Sequence, residues 1–237
     1  MPAAAIDPAP LVTRPVTRPV TRLRGLYAVT PDLDDTRELV ARVQAAIDGG
    51  AQAIQYRNKS ATARTRSEQA LALANACRGR ALFIVNDDAA LAAHVGADGV
   101  HVGEGDGDVA IARRYVGAGA IVGVSCYDDL ALANARASEG ADYVAFGSFF
   151  ASHVKPAARR ADVALLGGAR ALGLPVVAIG GITSANAAPL FAAGADAVAV
   201  ISDVFAHPRI GDVTVAARRL VDAWRASQAA GSPRSVA

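Results

Sequence analysis

The stretch GADGVHVG (residues 96–103) recurs along the chain as GADYVAFG (140–147), as GADAVAVI (194–201) and, with Gln in place of Asp, as GAQAIQYR (50–57). In each copy, the glycine can adopt the left-handed conformation that ends a helix, and the short polar residue turns the chain into an apolar run. The four copies precede the second, fourth, sixth and eighth of eight short apolar runs in the sequence. We therefore expect a fold that repeats in pairs of strands, with Asp98, Asp142 and Asp196 as structural residues at the N-terminal ends of strands.

Eight short apolar runs alternate with segments of helical character. The runs are LYAVT (26–30), AIQYR (53–57), LFIVN (82–86), GVHVG (99–103), IVGVS (121–125), YVAFG (143–147), VVAIG (176–180) and AVAVIS (197–202). Nearly continuous runs of this kind are typical of parallel strands that are buried on both faces. The segments between them have apolar residues at helical spacing and end in glycine. The pattern predicts an α/β fold, a (β/α)8 TIM barrel, and a doubly wound open sheet is the alternative.

One domain is expected, because α/β barrels commonly use 200 to 250 residues and the chain has 237. The barrel is predicted to span residues 23–227. Residues 1–22 include the repeat TRPVTRPVTR (13–22), which predicts a disordered, extended tail rich in Pro and Arg. Its prolines oppose an amphipathic targeting helix. Residues 228–237 are predicted to form a flexible C-terminal tail.

The composition limits the partners of the protein. The formal net charge of +2 comes from the arginines of the first 24 residues, so the remaining chain is nearly neutral and shows no basic face for nucleic acid. Residues 171–195 carry no charge, but glycines and prolines interrupt them, so no membrane-spanning helix is expected. Cys77 and Cys126 lack metal or disulfide spacing, which favours reduced thiols in a cytoplasmic protein. The sequence leaves the oligomeric state open, a homodimer included.

Polar residues follow the predicted strands at their C-terminal ends. They are Thr30; Gln55, Arg57, Asn58 and Lys59; Asn86, Asp87 and Asp88; Glu104 and Asp106; Ser125; Ser152, His153 and Lys155; Gly180 and Gly181; and Ser202. In a (β/α)8 barrel, the loops that leave these ends build the active site. We therefore expect the set to converge on one open end of the barrel, which we call the mouth.

The charges of this set predict phosphorylated ligands. The loops after strands seven and eight, which contain Gly181 and Ser202, are the usual phosphate site of this architecture. Arg57, Lys59 and Lys155 place three cations elsewhere at the mouth. Three cations indicate a second and more highly charged group, such as a diphosphate.

Two carboxylates on neighbouring strand ends predict a metal site. Asp87 follows strand three and Asp106 follows strand four, and Mg2+ binds to one or two carboxylates together with water and phosphate oxygens. The alternative is that NDD (86–88) contains a helix N-cap and that GEGDGD (103–108) is a solvated turn. His101 is expected to be a hydrogen-bonded barrel residue rather than a base. No nucleophile with an adjacent base is apparent, and Cys126 has none nearby.

The chain from about residue 26 to about residue 205 resembles the thiamine-phosphate synthase family, also called thiamine-phosphate pyrophosphorylase. The matching motifs are LYAVTPD, QYRNK, IVNDDAALA, GADGVHVGEGD, IVGVSCY, GADYVAFGSFF, VVAIGGIT with Asn186, and GADAVAVIS. They cover most of the barrel in the expected order. The resemblance implies that hydroxymethyl-aminopyrimidine diphosphate is joined to thiazole phosphate, with release of pyrophosphate.

The resemblance also implies roles for individual residues. Mg2+ would help the diphosphate to leave, and the thiazole nitrogen would capture the resulting pyrimidine methylene cation. Catalysis would depend on Lys155, Ser125, Arg57 and Lys59. The pyrimidine diphosphate would be held by Gln55, Arg57, Lys59, Asn86, Ser125 and Lys155; the thiazole phosphate by Ser152, Gly181, Ile201 and Ser202; and Mg2+ by Asp87 and Asp106.

The departures from the family pattern lie mainly after the sixth strand. Where the family usually has Pro-Thr-x-Thr-Lys, this chain has ASHVK (151–155), so Ala151, His153 and Val154 differ and a hydroxyl is lost at Val154. Glu104 and Asn58 replace a common Gln and Glu beside the ligand positions. Two alternatives remain open at this point: a thiazole tautomerase of the same fold, and a barrel that binds phosphorylated ligands without catalysis.

Overall fold

The computed structural model describes residues 23–103, 108–151 and 160–231. Within these ranges, eight parallel strands form one closed barrel, in which each strand pairs with the next and β8 pairs with β1. The strands are β1 (Gly25–Val29), β2 (Ala53–Tyr56), β3 (Leu82–Asn86), β4 (Gly99–Val102), β5 (Ile121–Tyr127), β6 (Tyr143–Phe146), β7 (Val176–Ile179) and β8 (Ala197–Val200). The prediction of a (β/α)8 barrel is confirmed, and the open-sheet alternative is wrong.

Helices surround the barrel and connect its strands. They are α1 (Thr36–Asp48), α2 (Ala63–Cys77), α3 (Ala89–Val95), α4 (Val109–Val116), α5 (Leu130–Ser138), α6 (Ala164–Ala169), α7 (Ala188–Ala193), α8 (Ser202–Phe205) and α9 (Ile210–Gly231). A 3₁₀ turn at Arg170–Leu172 follows α6. In the described part of the chain, no helix combines the length and the apolar composition that crossing a bilayer requires.

Most strands begin and end within two residues of the predicted runs, and the boundaries that extend furthest beyond the expectation are the ends of β5 and α9. Strand β5 continues to Tyr127, two residues past its predicted end at Ser125, and its register with β6 shifts between these two residues. Helix α9 continues to Gly231, so residues 228–231 are helical although the flexible tail was expected to begin at 228. No proline or glycine interrupts the sequence between Asp222 and Ala230, which explains why the helix continues. The tail residues 1–22 and 232–237 lie outside the described residues.

The three aspartates of the sequence repeat bind the backbone of the preceding strand at its N-terminal end. The carboxylate of each aspartate accepts a hydrogen bond from a strand N–H at 2.8–2.9 Å. The N–H of each aspartate donates to the carbonyl of the same strand residue at 2.7–2.8 Å. The pairs are Asp98 with Phe83, Asp142 with Val122, and Asp196 with Val176. The expected structural role at the N-terminal face is confirmed.

The barrel interior is filled by side chains, including two tyrosines. Tyr27 and Tyr143 are almost completely buried, and their rings meet edge to face with centroids 6.1 Å apart. The Tyr143 ring crosses the inner face of β5 at Gly123. A Cβ atom at Gly123 would lie 1.9 Å from Cζ of Tyr143. Glycine at this position is therefore what allows the tyrosine to lie across the barrel.

We predict that Gly123→Ala destabilises the protein, because the added methyl group would overlap the fully buried Tyr143 ring. The expected loss is about 1–3 kcal/mol of unfolding free energy, as in other overpacked cores. Gly119→Ala is the matched control, since a Cβ at Gly119 would meet no atom within 4 Å. Urea unfolding of the parent and both variants measures the difference. Equal losses in the two variants would contradict the packing argument.

Candidate active site

The segment that follows β2 is held by residues of the loop after β1. The completely buried Thr30 donates through Oγ1 to the Arg57 carbonyl and accepts from the Arg57 N–H, both at 2.9 Å. The Asp32 carboxylate accepts from the Arg57 guanidinium at 3.2 Å and from the Lys59 N–H at 3.0 Å. Asp32, which the sequence analysis did not single out, thus orients both predicted phosphate-binding residues of this segment.

Asn58 lies between these two cations and is buried. Its amide nitrogen donates to the Leu33 carbonyl and to Gln69, both at 3.1 Å. Its amide oxygen accepts from the N–H groups of Ser60 and Ala61 at 3.2 and 3.1 Å and from the Ser60 hydroxyl at 3.0 Å. The described contacts of Asn58 therefore fix the loop that carries Lys59.

The two adjacent aspartates after β3 have different roles. Asp88 is the N-cap of α3, and its carboxylate accepts from the Leu91 N–H at 2.8 Å. Asp87 has a φ of 64°, and its carboxylate lies 3.6 Å from the Lys59 ammonium. A positive φ is unusual for a residue other than glycine and is often found at functional sites. The capping interpretation of NDD is therefore correct for Asp88, whereas Asp87 extends toward the cations.

These residues line a cavity of about 580 Å3 at the C-terminal ends of β2 and β3. Of the predicted site, Arg57, Lys59, Asn86 and Asp87 contribute to its wall. Arg66 also lines the cavity, and the sequence analysis missed it. It belongs to the first turn of α2, whose N-cap is Thr62. Its wall carries three cations and two carboxylates, and it is large enough for a small phosphorylated molecule.

A chain of hydrogen bonds crosses the barrel interior below the mouth. It links Gln55 Nε2 to Tyr27 Oη (2.9 Å), Tyr27 Oη to Tyr143 Oη (2.9 Å), Tyr143 Oη to His101 Nδ1 (2.8 Å) and His101 Nε2 to Ser125 Oγ (2.9 Å). The prediction that His101 is a hydrogen-bonded barrel residue is confirmed. Gln55 and Ser125, two predicted substrate ligands, stand at opposite ends of this chain.

The loops after β7 and β8 contain the residues that the fold predicts for a phosphate site. Gly180 and Gly181 have φ values of 103° and 63°, and a Cβ at Gly181 would lie 2.2 Å from the Ala151 carbonyl oxygen. Ile201 follows β8, and Ser202 begins the short helix α8. A short helix after the last strand, together with the loop after strand seven, is the usual phosphate site of (β/α)8 barrels.

Several predicted site residues lie outside the described residues. They are Asp106 and Glu104 after β4, and Ser152, His153, Val154 and Lys155 after β6. Among the described residues, no group of three or more His, Cys, Asp or Glu side chains is placed to bind a metal ion. A site formed by Asp87 and Asp106 together therefore remains a prediction.

The two cysteines are free and buried. Burial raises the pKa of both the Cys77 and the Cys126 thiol to about 12. Both therefore remain protonated near neutral pH, and a protonated thiol is a poor nucleophile. The expectation that Cys126 does not act as a nucleophile agrees with this environment.

The closed parallel barrel, with a cavity lined by Arg57, Lys59 and Arg66 at the C-terminal ends of its strands, places the protein among the (β/α)8 barrels. The family model described as thiamine monophosphate synthase matches residues 26–204. The chain belongs to this family.

Curated relatives and a solved structure agree with this assignment. The chain is 53% identical to the thiamine-phosphate synthase of Chromobacterium violaceum over 86% of this chain and 97% of that protein. It is 57% identical to that of Methylobacillus flagellatus over 76% of this chain and 86% of that protein. The structure of thiamine phosphate pyrophosphorylase from Pyrococcus furiosus superposes with a TM-score of 0.73 at 33% identity, covering 87% of this chain and 97% of that one.

We predict that Asn58→Ala loosens the loop that carries Lys59, because the N–H groups of Ser60 and Ala61 lose their acceptor. The expected cost is about 0.5–1.5 kcal/mol of unfolding free energy, the range for a lost hydrogen bond, because Ser60 is exposed and Ala61 half-buried. Hydrogen exchange at the Ser60 and Ala61 amides should become faster. The control is Asn75→Ala on the exposed face of α2, which should change stability by less than about 0.5 kcal/mol. Unchanged exchange at both amides would contradict the assigned role.

Proposed function

We propose that this protein is a thiamine-phosphate synthase that joins hydroxymethyl-aminopyrimidine diphosphate to thiazole phosphate in the cytoplasm. The observation that carries the proposal is the cavity formed by Arg57, Lys59, Asn86 and Asp87 in a barrel of this family. Cationic and amide side chains at one opening suit a ligand with several phosphate oxygens. Relatives at 52–57% identity are thiamine-phosphate synthases, which supports the synthase rather than the tautomerase.

The pyrimidine diphosphate would occupy the cavity and the barrel interior below it. Arg57 and Lys59 would bind the diphosphate together with Asn86, and Lys155 would complete the set from the loop after β6. The pyrimidine ring would lie deeper, between Gln55 and Ser125. Asp32 supports this arrangement, because it holds the Arg57 guanidinium and the Lys59 N–H in place before a ligand binds.

Asp87 and Asp106 would hold Mg2+. The donor chemistry of Asp87 fits this ion, because its carboxylate supplies hard oxygen ligands and lies at the cavity wall. Its neighbour Lys59, 3.6 Å away, partly neutralises the carboxylate until a cation binds. When bound, the ion would neutralise charge that develops on the departing pyrophosphate.

The thiazole phosphate would bind at the loops after β7 and β8. Gly181, Ile201 and Ser202 would supply N–H and hydroxyl donors, with Ser152 from the loop after β6. Ser202 is the first residue of the short helix α8. Asp203 in the same turn accepts from the Ser184 N–H at 2.9 Å, so its carboxylate is engaged by the loop after β7.

The reaction requires little covalent chemistry from the protein. The bond between the pyrimidine methylene carbon and the diphosphate oxygen breaks, and both electrons leave with pyrophosphate. The thiazole nitrogen then donates its lone pair to the methylene cation and forms the new carbon–nitrogen bond. The residues of the site would act by holding both substrates in line and by stabilising the charge on the leaving group.

The test is incubation of the pure protein with both substrates and Mg2+, followed by measurement of thiamine phosphate and pyrophosphate. Formation of both products in equal amounts would support the proposal. A tautomerase would instead convert the thiazole carboxylate phosphate without the pyrimidine substrate. A barrel that only binds ligands would give no product.

We predict that Asp87→Ala and Asp106→Ala each raise the Mg2+ concentration needed for half-maximal pyrophosphate release and slow the reaction. The double variant should cost little beyond the worse single variant, as expected of ligands that act as a unit. Asp222→Ala, on the exposed side of α9, is the matched control. Pyrophosphate release is measured against Mg2+ concentration for each protein. If the curves of the two single variants and the double variant superimposed on the parent curve, the proposed metal site would be wrong.

We also predict that Lys155→Ala lowers kcat about a hundredfold, because it removes a cation from the departing diphosphate. One such electrostatic contact is worth roughly 3 kcal/mol in the transition state. Arg225→Ala, an exposed cation of α9, controls for a general change in charge. Steady-state kinetics measure kcat for the parent and both variants. If Lys155→Ala had the kcat of the parent, this lysine would not take part in the reaction.

A further inference from the structure

The hydrogen-bond chain from Gln55 to Ser125 has a direction that follows from counting its hydrogens. The amide nitrogen of Gln55 can only donate, so the Tyr27 oxygen accepts from it. Tyr27 has one hydroxyl hydrogen and is almost completely buried. The described hydrogen-bond partners of its oxygen are the Gln55 amide and the Tyr143 hydroxyl, and the amide cannot accept. The Tyr27 hydrogen is therefore directed to Tyr143, since the opposite direction would leave it without an acceptor.

Counting hydrogens in the same way assigns the donors and acceptors of Tyr143 and His101. Tyr143 accepts from Tyr27, so its own hydrogen is available for Nδ1 of His101, 2.8 Å away. A ring nitrogen that accepts carries no hydrogen, which assigns the proton of the neutral imidazole to Nε2. His101 Nε2 then donates to the Ser125 oxygen at 2.9 Å. The hydrogen of Ser125 is left to point away from the histidine.

We propose that His101 is a positioning residue that fixes Ser125 as a hydrogen-bond donor at the mouth. This inference rests on the proposed role of Ser125 in holding the pyrimidine diphosphate. The phosphate oxygens and the ring nitrogens of that substrate are acceptors, so a serine that is held as a donor matches them. A serine free to rotate would have to lose that freedom on binding, at a cost in affinity.

Burial of the two tyrosines keeps both hydroxyl hydrogens available for the chain. Burial raises the pKa of Tyr27 and of Tyr143 well above the usual value. A raised pKa means that both phenols keep their hydrogens at neutral and mildly alkaline pH, so both remain donors. The Tyr143 ring also stacks on the imidazole, with centroids 5.5 Å apart and an interplanar angle of 23°, which restricts rotation of His101.

Replacements of His101 separate its two hydrogen bonds. Glutamine places an amide N–H near the position of Nε2 and can still donate to Ser125. Asparagine places an oxygen near Nδ1 and can still accept from Tyr143, but it does not reach Ser125. We expect His101→Asn to raise the KM for the pyrimidine diphosphate about tenfold, the size of one lost hydrogen bond. The KM for thiazole phosphate should not change, and His101→Gln should restore most of the loss.

A double-mutant cycle with Ser125→Ala provides the decisive measurement. If His101 acts through Ser125, the double variant His101→Asn/Ser125→Ala should have the same KM for the pyrimidine diphosphate as Ser125→Ala alone. His94→Asn, at an exposed histidine of α3, is the control for histidine replacement. If His101→Asn does not fold, Tyr143→Phe takes its place in the cycle, because it removes the hydroxyl that makes Nδ1 an acceptor.

The outcomes distinguish this inference from the proposal on which it rests. If Ser125→Ala had the same KM for the pyrimidine diphosphate as the parent, both the proposed role of Ser125 and the positioning role of His101 would be wrong. If Ser125→Ala raised this KM and the double variant His101→Asn/Ser125→Ala raised it further, only the positioning role would be wrong. An equal rise in both KM values in His101→Asn, without recovery in His101→Gln, would also overturn it, because general loosening of the barrel would produce that pattern.

Discussion

The pairing of β8 with β1 is the constraint on which the rest of the structure depends. Four residues of β1, from Gly25 to Ala28, pair in parallel with Ala197 to Val200 and close the sheet. Because all eight described strands are parallel, closure brings their C-terminal ends to one rim. Residues far apart in sequence, such as Arg57 and Ser202, therefore lie at the same end of the barrel. The candidate site is a direct consequence of this closure.

The fold could be predicted from the sequence because its determinants are local. Each apolar run is short and nearly continuous, and this pattern is typical of parallel strands that are covered on both faces. The Gly-Ala-Asp repeat carries its own mechanism, since each aspartate binds the N-terminal end of the preceding strand within about twenty residues of chain, as Asp196 binds Val176. The positions of Arg57, Lys59, Asn86 and Asp87 at one cavity followed from the same local signals, because each residue ends or follows a strand.

The parts of the site that sequence could not predict depend on geometry across the barrel. Tyr27 and Tyr143 are 116 residues apart, and only the register of the closed sheet brings their hydroxyls together. Asp87 and Asp88 are adjacent and chemically identical, and only the backbone conformation decides which one caps α3. Asp32 is the last residue of the motif LYAVTPD, but nothing in that motif indicates that its carboxylate orients Arg57 across the mouth.

The barrel interior serves as hydrophobic core and as floor of the site at the same time. Tyr27 and Tyr143 are among the largest fully buried side chains, yet they also carry the hydrogen bonds between Gln55 and Ser125. A buried polar chain is costly unless each member has a partner. In this barrel both ends of the chain lie toward the mouth, where a ligand can add further hydrogen bonds. The same hydrogen bonds that satisfy the core therefore fix the orientation of the Gln55 and Ser125 side chains at the two ends of the chain.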